Sequence, residues 1–133
     1  MKVADTNVIA YLLIPSPFTP MAEKVYAQDP EWVAPTLWRS EFRNVLSLYM
    51  RRALVSLDQA IALQDEAEDL LRGHEYDVTS ADVLSLAKDS GCSAYDCEFV
   101  ALARFLDVPL ITADRRLAQA FPHHARALET VGG

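Results

Sequence analysis

Short runs of apolar residues alternate with segments of helix length along the whole chain, and this alternation limits the possible folds more than any other feature. The predicted strands are residues 2–5, 32–34, 75–79, 108–112 and 127–131. The predicted helices are residues 6–14, 20–29, 36–53, 56–73, 80–90, 94–107 and 115–121. Strands of a few residues separated by longer helices are typical of βαβ units. We therefore predict an α/β fold with a parallel sheet that carries helices on both faces.

Turn and capping residues mark several of the predicted boundaries. Thr19 precedes Pro20, which suits an N-cap followed by a proline in the first helical turn. Ser56 and Gln59 have the spacing of a capping box, and Gly91 is placed to end a helix. We expect helices to begin at the first two of these sites and to end at the third.

Length and composition are those of one compact domain spanning residues 1–133, because 51% hydrophobic residues can form a core. The chain has no apolar run long enough to span a membrane, and its first residues do not resemble a secretory signal. We expect a cytoplasmic protein with no membrane association. Cys92 and Cys97 are predicted to be buried thiols, since no further cysteine or nearby histidine completes a zinc site.

Two aspartates follow predicted strands. Asp5 directly follows Val3 and Ala4, and Asp114 lies two residues beyond Thr112. Ligands of open parallel sheets bind beyond the carboxyl ends of the strands, near the point where the strand order reverses. We expect both carboxylates at that edge of the sheet, although aspartate is also a common turn or N-cap residue.

Glu41 lies in the longest predicted helix, where a structural role is harder to find. At about 100° per residue it falls within an apolar stripe formed by Leu37, Trp38, Val45, Leu48 and Tyr49. A carboxylate there must be paired, protonated or bound to a metal, because burying an unpaired charge is very costly. The structural alternative is an ion pair with Arg52.

Asp96 is the third residue after Ser93, so a role in a capping box is as reasonable as a functional one. The helix that begins there is nearly all apolar, and Asp96 lies on the flank that carries Phe99, Val100 and Ala103. Its first turn would lie beside the carboxyl edge of the sheet.

Taken together, four short motifs resemble the PIN-domain nucleases, and in particular the VapC-type toxins of bacterial toxin–antitoxin pairs. The motifs are Asp5-Thr6-Asn7, Glu41 in a helix, Tyr95-Asp96-Cys97 and Thr112-Ala113-Asp114. The likeness covers nearly the whole chain in order, spacing and length. It implies a three-layer sandwich with a five-stranded parallel sheet, cleavage of RNA by a Mg²⁺- or Mn²⁺-dependent endoribonuclease, a homodimer and a small antitoxin partner.

The resemblance also implies roles for individual residues. Asp5, Glu41, Asp96 and Asp114 would be the catalytic acids, and Asp5 and Asp96 would hold a metal ion most directly. Asn7 and Thr112 match accessory polar positions, although both could equally be capping and turn residues. An oxygen-only donor set with no histidine or thiolate suits Mg²⁺ or Mn²⁺.

The formal charge of −7 argues at first against a nucleic-acid partner. The four acids account for more than half of it, and bound cations would reverse the local sign. Seven arginines could flank the site, or could be ordinary solvated helix surface, and they are Arg39, Arg43, Arg51, Arg52, Arg104, Arg115 and Arg116.

Three other functions fit parts of the pattern. A receiver-like signalling domain has a similar size and an acidic Mg²⁺ site, but it would carry an acidic pair after the first strand and a lysine after a late strand. Here Thr6 follows Asp5, and no lysine follows Lys88. A catalytically inactive PIN-like module that binds RNA or a partner, and a hydrolase of small phosphate esters, remain open.

Overall fold

The computed structural model of the protein describes residues 1–133, which form five strands and eight helices. The strands are β1 Lys2–Ala4, β2 Trp32–Pro35, β3 Glu75–Tyr76, β4 Leu110–Thr112 and β5 Ala125–Ala127. The helices are α1 Thr6–Leu13, α2 Thr19–Gln28, α3 Trp38–Arg51, α4 Leu57–Leu70, α5 Ser80–Ser90, α6 Ala94–Leu106, α7 Arg115–Ala120 and α8 Leu128–Gly132.

The five strands form one parallel sheet in the order β3-β2-β1-β4-β5. At its centre Val3 pairs with Val33 of β2 on one side and with Leu110 of β4 on the other. The chain therefore runs outward from β1 to β3 and then returns to the other side of β1. The strand order reverses between β1 and β4, where an open parallel sheet leaves a crevice for a ligand.

Helices enclose the sheet and bury one continuous apolar core. On one side α6 packs against β1, β2 and β4, and α5 packs against α6. Helix α1 contacts β4 and packs with α2, α3 and α4. The largest fully buried side chains include Trp32, Trp38, Phe42 and Phe99, which come from a strand and from helices of both groups. The predicted α/β sandwich with a five-stranded parallel sheet is confirmed.

No helix has the length and apolarity that crossing a lipid bilayer requires. Both cysteines are free thiols, and Cys97 is buried as predicted, whereas Cys92 is only half-buried.

Local hydrogen bonds explain the boundaries that were predicted well. Helix α5 has the predicted bounds, because the Thr79 hydroxyl accepts from Asp82 N at its start and Gly91 adopts φ +73° at its end. The predicted capping box is present at α4, where Ser56 and Gln59 bond reciprocally. Local sequence signals were sufficient at these sites.

The predicted final strand at residues 127–131 is wrong. Residues Ala125–Ala127 pair with β4, and the chain then turns into helix α8, which packs against α2. A Cβ on Gly132 would lie 2.5 Å from the Met21 carbonyl oxygen, so the close approach of these helices depends on that glycine. The apolar residues that suggested a strand serve a helix–helix contact instead.

Other predicted boundaries need smaller corrections. Thr19 does not cap α2, because its hydroxyl accepts from Ser16 N and donates to the Tyr11 carbonyl, leaving Phe18 as the N-cap residue. Helix α3 begins at Trp38, two residues later than predicted, because Pro35 ends β2 and Thr36 N donates to Tyr76 O of β3. Strands β3 and β4 are shorter than predicted.

Candidate active site

A pocket of about 450 Å³ opens at the carboxyl ends of β1 and β4, where the strand order reverses. All four predicted acids line it, and so does Asn7. The complete lining is Asp5, Thr6, Asn7, Leu37, Ser40, Glu41, Asn44, Val45, Tyr95, Asp96 and Asp114. The sheet edge, α1, α3 and α6 thus contribute to a single concave site.

Asp5 is the most deeply buried of the four acids, with 6% of its surface exposed. One carboxylate oxygen accepts a hydrogen bond from Thr6 N at 2.8 Å, and the other accepts from the Thr112 hydroxyl at 2.7 Å. The Asn7 amide lies 3.5 Å from that second oxygen. Asp5 therefore serves as the N-cap residue of α1 and is also held by strand β4.

Burial raises the pKa of Asp5 from 3.8 to about 7. Burial is the largest cause of this net rise, and the nearby negative charges of Glu41 and Asp96 contribute to it, whereas the hydrogen bonds from Thr112 and Thr6 lower the pKa. The site therefore holds this carboxyl in an environment that resists its ionisation unless a cation is bound.

Glu41 lies in the first turn of α3, half-buried, and its Oε1 accepts from the Thr6 hydroxyl at 2.8 Å. The predicted alternative, an ion pair with Arg52, is not formed in the structure, where Arg52 is exposed. Burial raises the pKa of Glu41, and the charges of Asp96 and Glu98 add to that effect.

The predicted apolar stripe around Glu41 partly matches the observed core face of α3. Trp38, Phe42 and Leu46 are the buried residues of α3. Val45 and Tyr49 are half-buried against the same core, whereas Leu48 is 39% exposed. Glu41 lies beside this core face and lines the pocket together with Leu37 and Val45.

Asp96 lies in the first turn of α6, where its backbone N–H donates to the Ser93 hydroxyl at 3.1 Å. Burial raises the pKa of the Asp96 carboxyl, and the charge of Asp114 raises it too, while Ser93 lowers it. The capping interaction with Ser93 thus coexists with a carboxylate that lines the pocket.

Asp114 has a clear structural role, since its Oδ1 accepts from the N–H groups of Arg116 and Leu117 as the N-cap of α7. Asp114 N donates to the Thr112 hydroxyl, which in turn donates to Asp5. The Asn7 side-chain oxygen accepts from Ala113 N. Thr112 and Asn7 therefore tie Asp5 to the loop that carries Asp114.

The pocket contains two residues that sequence reasoning did not select and that bear on its chemistry. Thr6 connects the two most buried acids, because its N–H donates to Asp5 and its hydroxyl to Glu41. Tyr95 lines the opening next to Asp96. Each of them lies directly beside a predicted acid in the sequence, and this adjacency is the signal that could have identified them.

None of the seven arginines lines the pocket. Arg39 instead makes ion pairs with Glu75 and Glu68, and Arg115 makes one with Glu129. None of these arginines therefore forms part of the pocket wall, which agrees with the alternative that they are ordinary helix surface.

The oxygen donors fit a hard divalent cation, although their side chains are not drawn together around a single point. No three Asp, Glu, His or Cys side chains are grouped closely enough to hold an ion as they stand. Hydrogen bonds hold the Asp5, Glu41 and Asp114 carboxylates to Thr6, Thr112 and the start of α7. Mg²⁺ commonly uses one or two carboxylates and keeps several waters, so the donor set remains compatible with it.

Comparison with known proteins identifies the family of this chain. Residues 2–121 match the family model described as PIN domain. The chain belongs to the PIN domain family. This membership confirms the resemblance inferred from the four acidic motifs and removes the receiver-like alternative.

One PIN-family relative is similar in sequence over most of its length. The chain is 33% identical over 123 residues to Ribonuclease VapC3 of Pyrobaculum aerophilum, covering 90% of this chain and 94% of that protein. The predicted likeness to VapC-type proteins is therefore confirmed at the level of sequence.

Solved structures share the PIN fold at lower sequence identity. The crystal structure of PAE2754 from Pyrobaculum aerophilum superposes with a TM-score of 0.77 at 19% identity, over 97% of this chain and 91% of that one. FitAcB from Neisseria gonorrhoeae gives a TM-score of 0.73 at 20% identity, over 97% and 99% of the two chains. A structure of FitAB bound to the IR36 DNA fragment gives 0.71 at 20% identity, over 96% and 95%. These structures support the fold.

Proposed function

We propose that this protein is an endoribonuclease dependent on Mg²⁺ or Mn²⁺, with Asp5, Glu41, Asp96 and Asp114 as its catalytic acids. The observation that carries the proposal is the convergence of these four acids on one pocket at the point where the strand order reverses. The name of the relative Ribonuclease VapC3 supports RNA as the substrate.

Asp5 and Asp96 would hold the cation most directly, and Glu41 and Asp114 would complete its surroundings through water. When bound, Mg²⁺ or Mn²⁺ supplies Lewis-acid polarisation of a phosphate and lowers the pKa of a water molecule. The raised pKa values of Asp5, Glu41 and Asp96 support cation binding here, because a cation relieves the mutual repulsion of crowded carboxylates.

The chain's own polar residues prepare this site before any ligand arrives. Thr112 and Thr6 fix both oxygens of Asp5, and the Thr6 hydroxyl also orients Glu41. Asn7 and Thr112 hold the loop after β4 at a set distance from Asp5. Such supporting hydrogen bonds keep ligands oriented and are commonly needed for full metal affinity.

Removal of divalent cations is expected to abolish RNA cleavage, and added Mg²⁺ or Mn²⁺ is expected to restore it, because all the proposed catalytic groups are anionic. The measurement is gel analysis of structured RNAs incubated with purified protein before and after chelation. The Asp5→Asn variant, purified in parallel, reports contaminating nuclease.

Two results would contradict this assignment. Cleavage that persists in chelator would exclude metal dependence. A protein that binds RNA but cleaves none in any divalent cation would be an inactive binding module, and turnover confined to small phosphate esters would indicate a different hydrolase.

Thr6→Val is expected to lower cleavage activity by about 10- to 100-fold, the usual effect of losing an outer-shell hydrogen bond at a metal site. Valine keeps the shape of threonine but removes the hydroxyl that holds Glu41. Thr6→Ser is the matched control, since it retains the hydroxyl, and initial rates across Mg²⁺ concentrations would separate weaker metal binding from slower chemistry. Wild-type activity in Thr6→Val would show that this hydrogen bond has no role in the reaction.

Further parts of the proposal follow from the VapC-type family. We propose one domain, a homodimer, a cytoplasmic location and a small antitoxin partner that blocks the acidic pocket. Light scattering of the purified protein tests the dimer. Co-expression with a small protein encoded beside it tests the partner, because a cognate antitoxin should co-purify and suppress cleavage.

A further inference from the structure

The acidic pocket lacks the side chains that usually hold a nucleic-acid backbone. Phosphate contacts by lysine and arginine supply most of the sequence-independent affinity for nucleic acids. The pocket is lined by four carboxylates and by no lysine, arginine or histidine. Cations in the pocket would offset this charge at the reacting phosphate. Inside the pocket, a neighbouring nucleotide would therefore be held by contacts of another kind.

Tyr95 is the only aromatic residue that lines the pocket, and it is 63% exposed. It lies in the first turn of α6, directly before Asp96. Its ring is not part of the aromatic pairs Tyr11–Phe18, Tyr26–Trp32 and Trp38–Phe42. Nor is it among the partly buried side chains that pack on the core. Most of the Tyr95 side chain is therefore open to solvent and lies outside the core.

The position of Tyr95 suits contact with a base beside the reacting phosphate. Base–aromatic stacking does not depend on phosphate charge, and it is the common means by which proteins hold single-stranded RNA. The remaining apolar lining, Leu37 and Val45, comes from α3, and Ser40 and Asn44 of the same helix add polar groups. The pocket volume of about 450 Å³ falls within the range of pockets that enclose small organic ligands.

We propose that Tyr95 is the base-stacking residue of this site, holding an unpaired nucleotide of RNA next to the phosphate at the four acids. The proposal rests on the proposed ribonuclease function and adds a residue that selects single-stranded RNA. The contact is made by the ring face, so it requires an aromatic side chain at position 95 and does not require the hydroxyl.

The experiment measures RNA binding and RNA cleavage separately. Binding is followed by fluorescence anisotropy of short fluorescein-labelled homopolymers of uridine and of adenosine in chelator. It uses the Asp5→Asn background, which is expected to lack cleavage. Adding Tyr95→Ala is expected to weaken binding by about 5- to 150-fold, the range for loss of one base–aromatic stack. Adding Tyr95→Phe is expected to leave binding within about twofold, because a phenyl ring stacks equally well.

Phe105→Ala is the matched control, since Phe105 is an exposed aromatic residue on the same helix but lies outside the acidic pocket. In the otherwise wild-type enzyme, Tyr95→Ala should lower kcat/KM by a similar factor with Mg²⁺ present, and Phe105→Ala should not.

The possible failures are distinguishable. If Tyr95→Ala binds and cleaves like wild type while the acid variants are inactive, the stacking role is wrong and the ribonuclease function stands. An equal loss in Tyr95→Phe would show that the hydroxyl, not the ring face, makes the contact, which also overturns the proposal. If the wild-type protein neither binds nor cleaves RNA, both proposals are wrong.

Discussion

Asp96→Asn and Glu41→Gln are each expected to lower the rate of RNA cleavage by at least about 100-fold, since loss of an outer-shell group alone typically costs about 10- to 100-fold. Both changes keep the side-chain shape and remove one negative charge from the pocket. The raised pKa values of both carboxyls show that the fold places them where ionisation is opposed by burial and by neighbouring acids. A groove that serves only to bind RNA would instead gain affinity when a negative charge is removed.

The measurement is single-turnover cleavage of one RNA at saturating protein, with Mg²⁺ varied. Asp89→Asn is the control, because Asp89 is exposed near the end of α5 and does not line the pocket. Circular dichroism should be unchanged in Asp96→Asn, since the bond from the residue 96 backbone N–H to Ser93 is independent of the side chain. Cleavage rates within about tenfold of wild type in both acid variants would show that Asp96 and Glu41 are not catalytic residues.

The position of the site was predictable because it follows from sheet geometry. Asp5 and Asp114 come directly after β1 and close after β4, and the carboxyl ends of neighbouring parallel strands share an edge. The expectation of a parallel sheet needed only the alternation of short apolar runs with helices, which gave no strand order. The α/β class and the meeting of these two acids were therefore available from the sequence.

The contacts around the acids were not predictable in the same way, because they join residues that are distant in the chain. The Thr6 hydroxyl reaches Glu41 across 35 positions, and the Thr112 hydroxyl reaches Asp5 across 107. Helical periodicity indicated correctly that Glu41 is partly buried, but it placed the exposed Leu48 on the core face and left out the buried Phe42 and Leu46. No local sequence signal indicated that the hydrogen-bond partner of Glu41 would be Thr6 and not Arg52.

The incorrect prediction of a strand at residues 127–131 has a similar cause. Residues after Ala127 carry an apolar pattern that suits a short strand or one helical turn equally well. The close packing of Gly132 against Met21 of α2 accompanies the helical form, and that contact depends on the tertiary arrangement. Short terminal segments are decided by such contacts more than by their own sequence.

Asp5→Asn is expected to make the metal-free protein more stable at neutral pH while it removes activity. The pKa of Asp5 is raised from 3.8 to about 7 in the folded protein, chiefly by burial. Between these pH values the folded state holds a proton that the unfolded state has lost, so the free energy of unfolding falls as pH rises through this window. At about 1.4 kcal/mol per pH unit, the loss by pH 8 is at most about 4 kcal/mol.

Asparagine has no charge to bury, so the variant should lack this pH dependence. Part of the gain is offset, because an amide nitrogen in place of an oxygen cannot accept the bond from Thr112, which is worth about 1 kcal/mol. We expect a net stabilisation of about 2 to 3 kcal/mol at pH 8 and almost none at pH 4. The measurement is urea unfolding in chelator from pH 4 to 8, with Asp89→Asn as the control.

Added Mg²⁺ should reverse the order of stability, because it binds the folded wild-type protein and lacks its main carboxylate ligand in the variant. The same burial that makes Asp5 unfavourable in the empty site would then make it an effective ligand, since binding the ion replaces a proton that the folded protein holds. A variant that is less stable than wild type at pH 8 in chelator would show that hydrogen bonds outweigh desolvation at Asp5. The buried carboxylate would then be a structural N-cap of α1 first, and its suitability for a metal would have to come from the neighbouring acids.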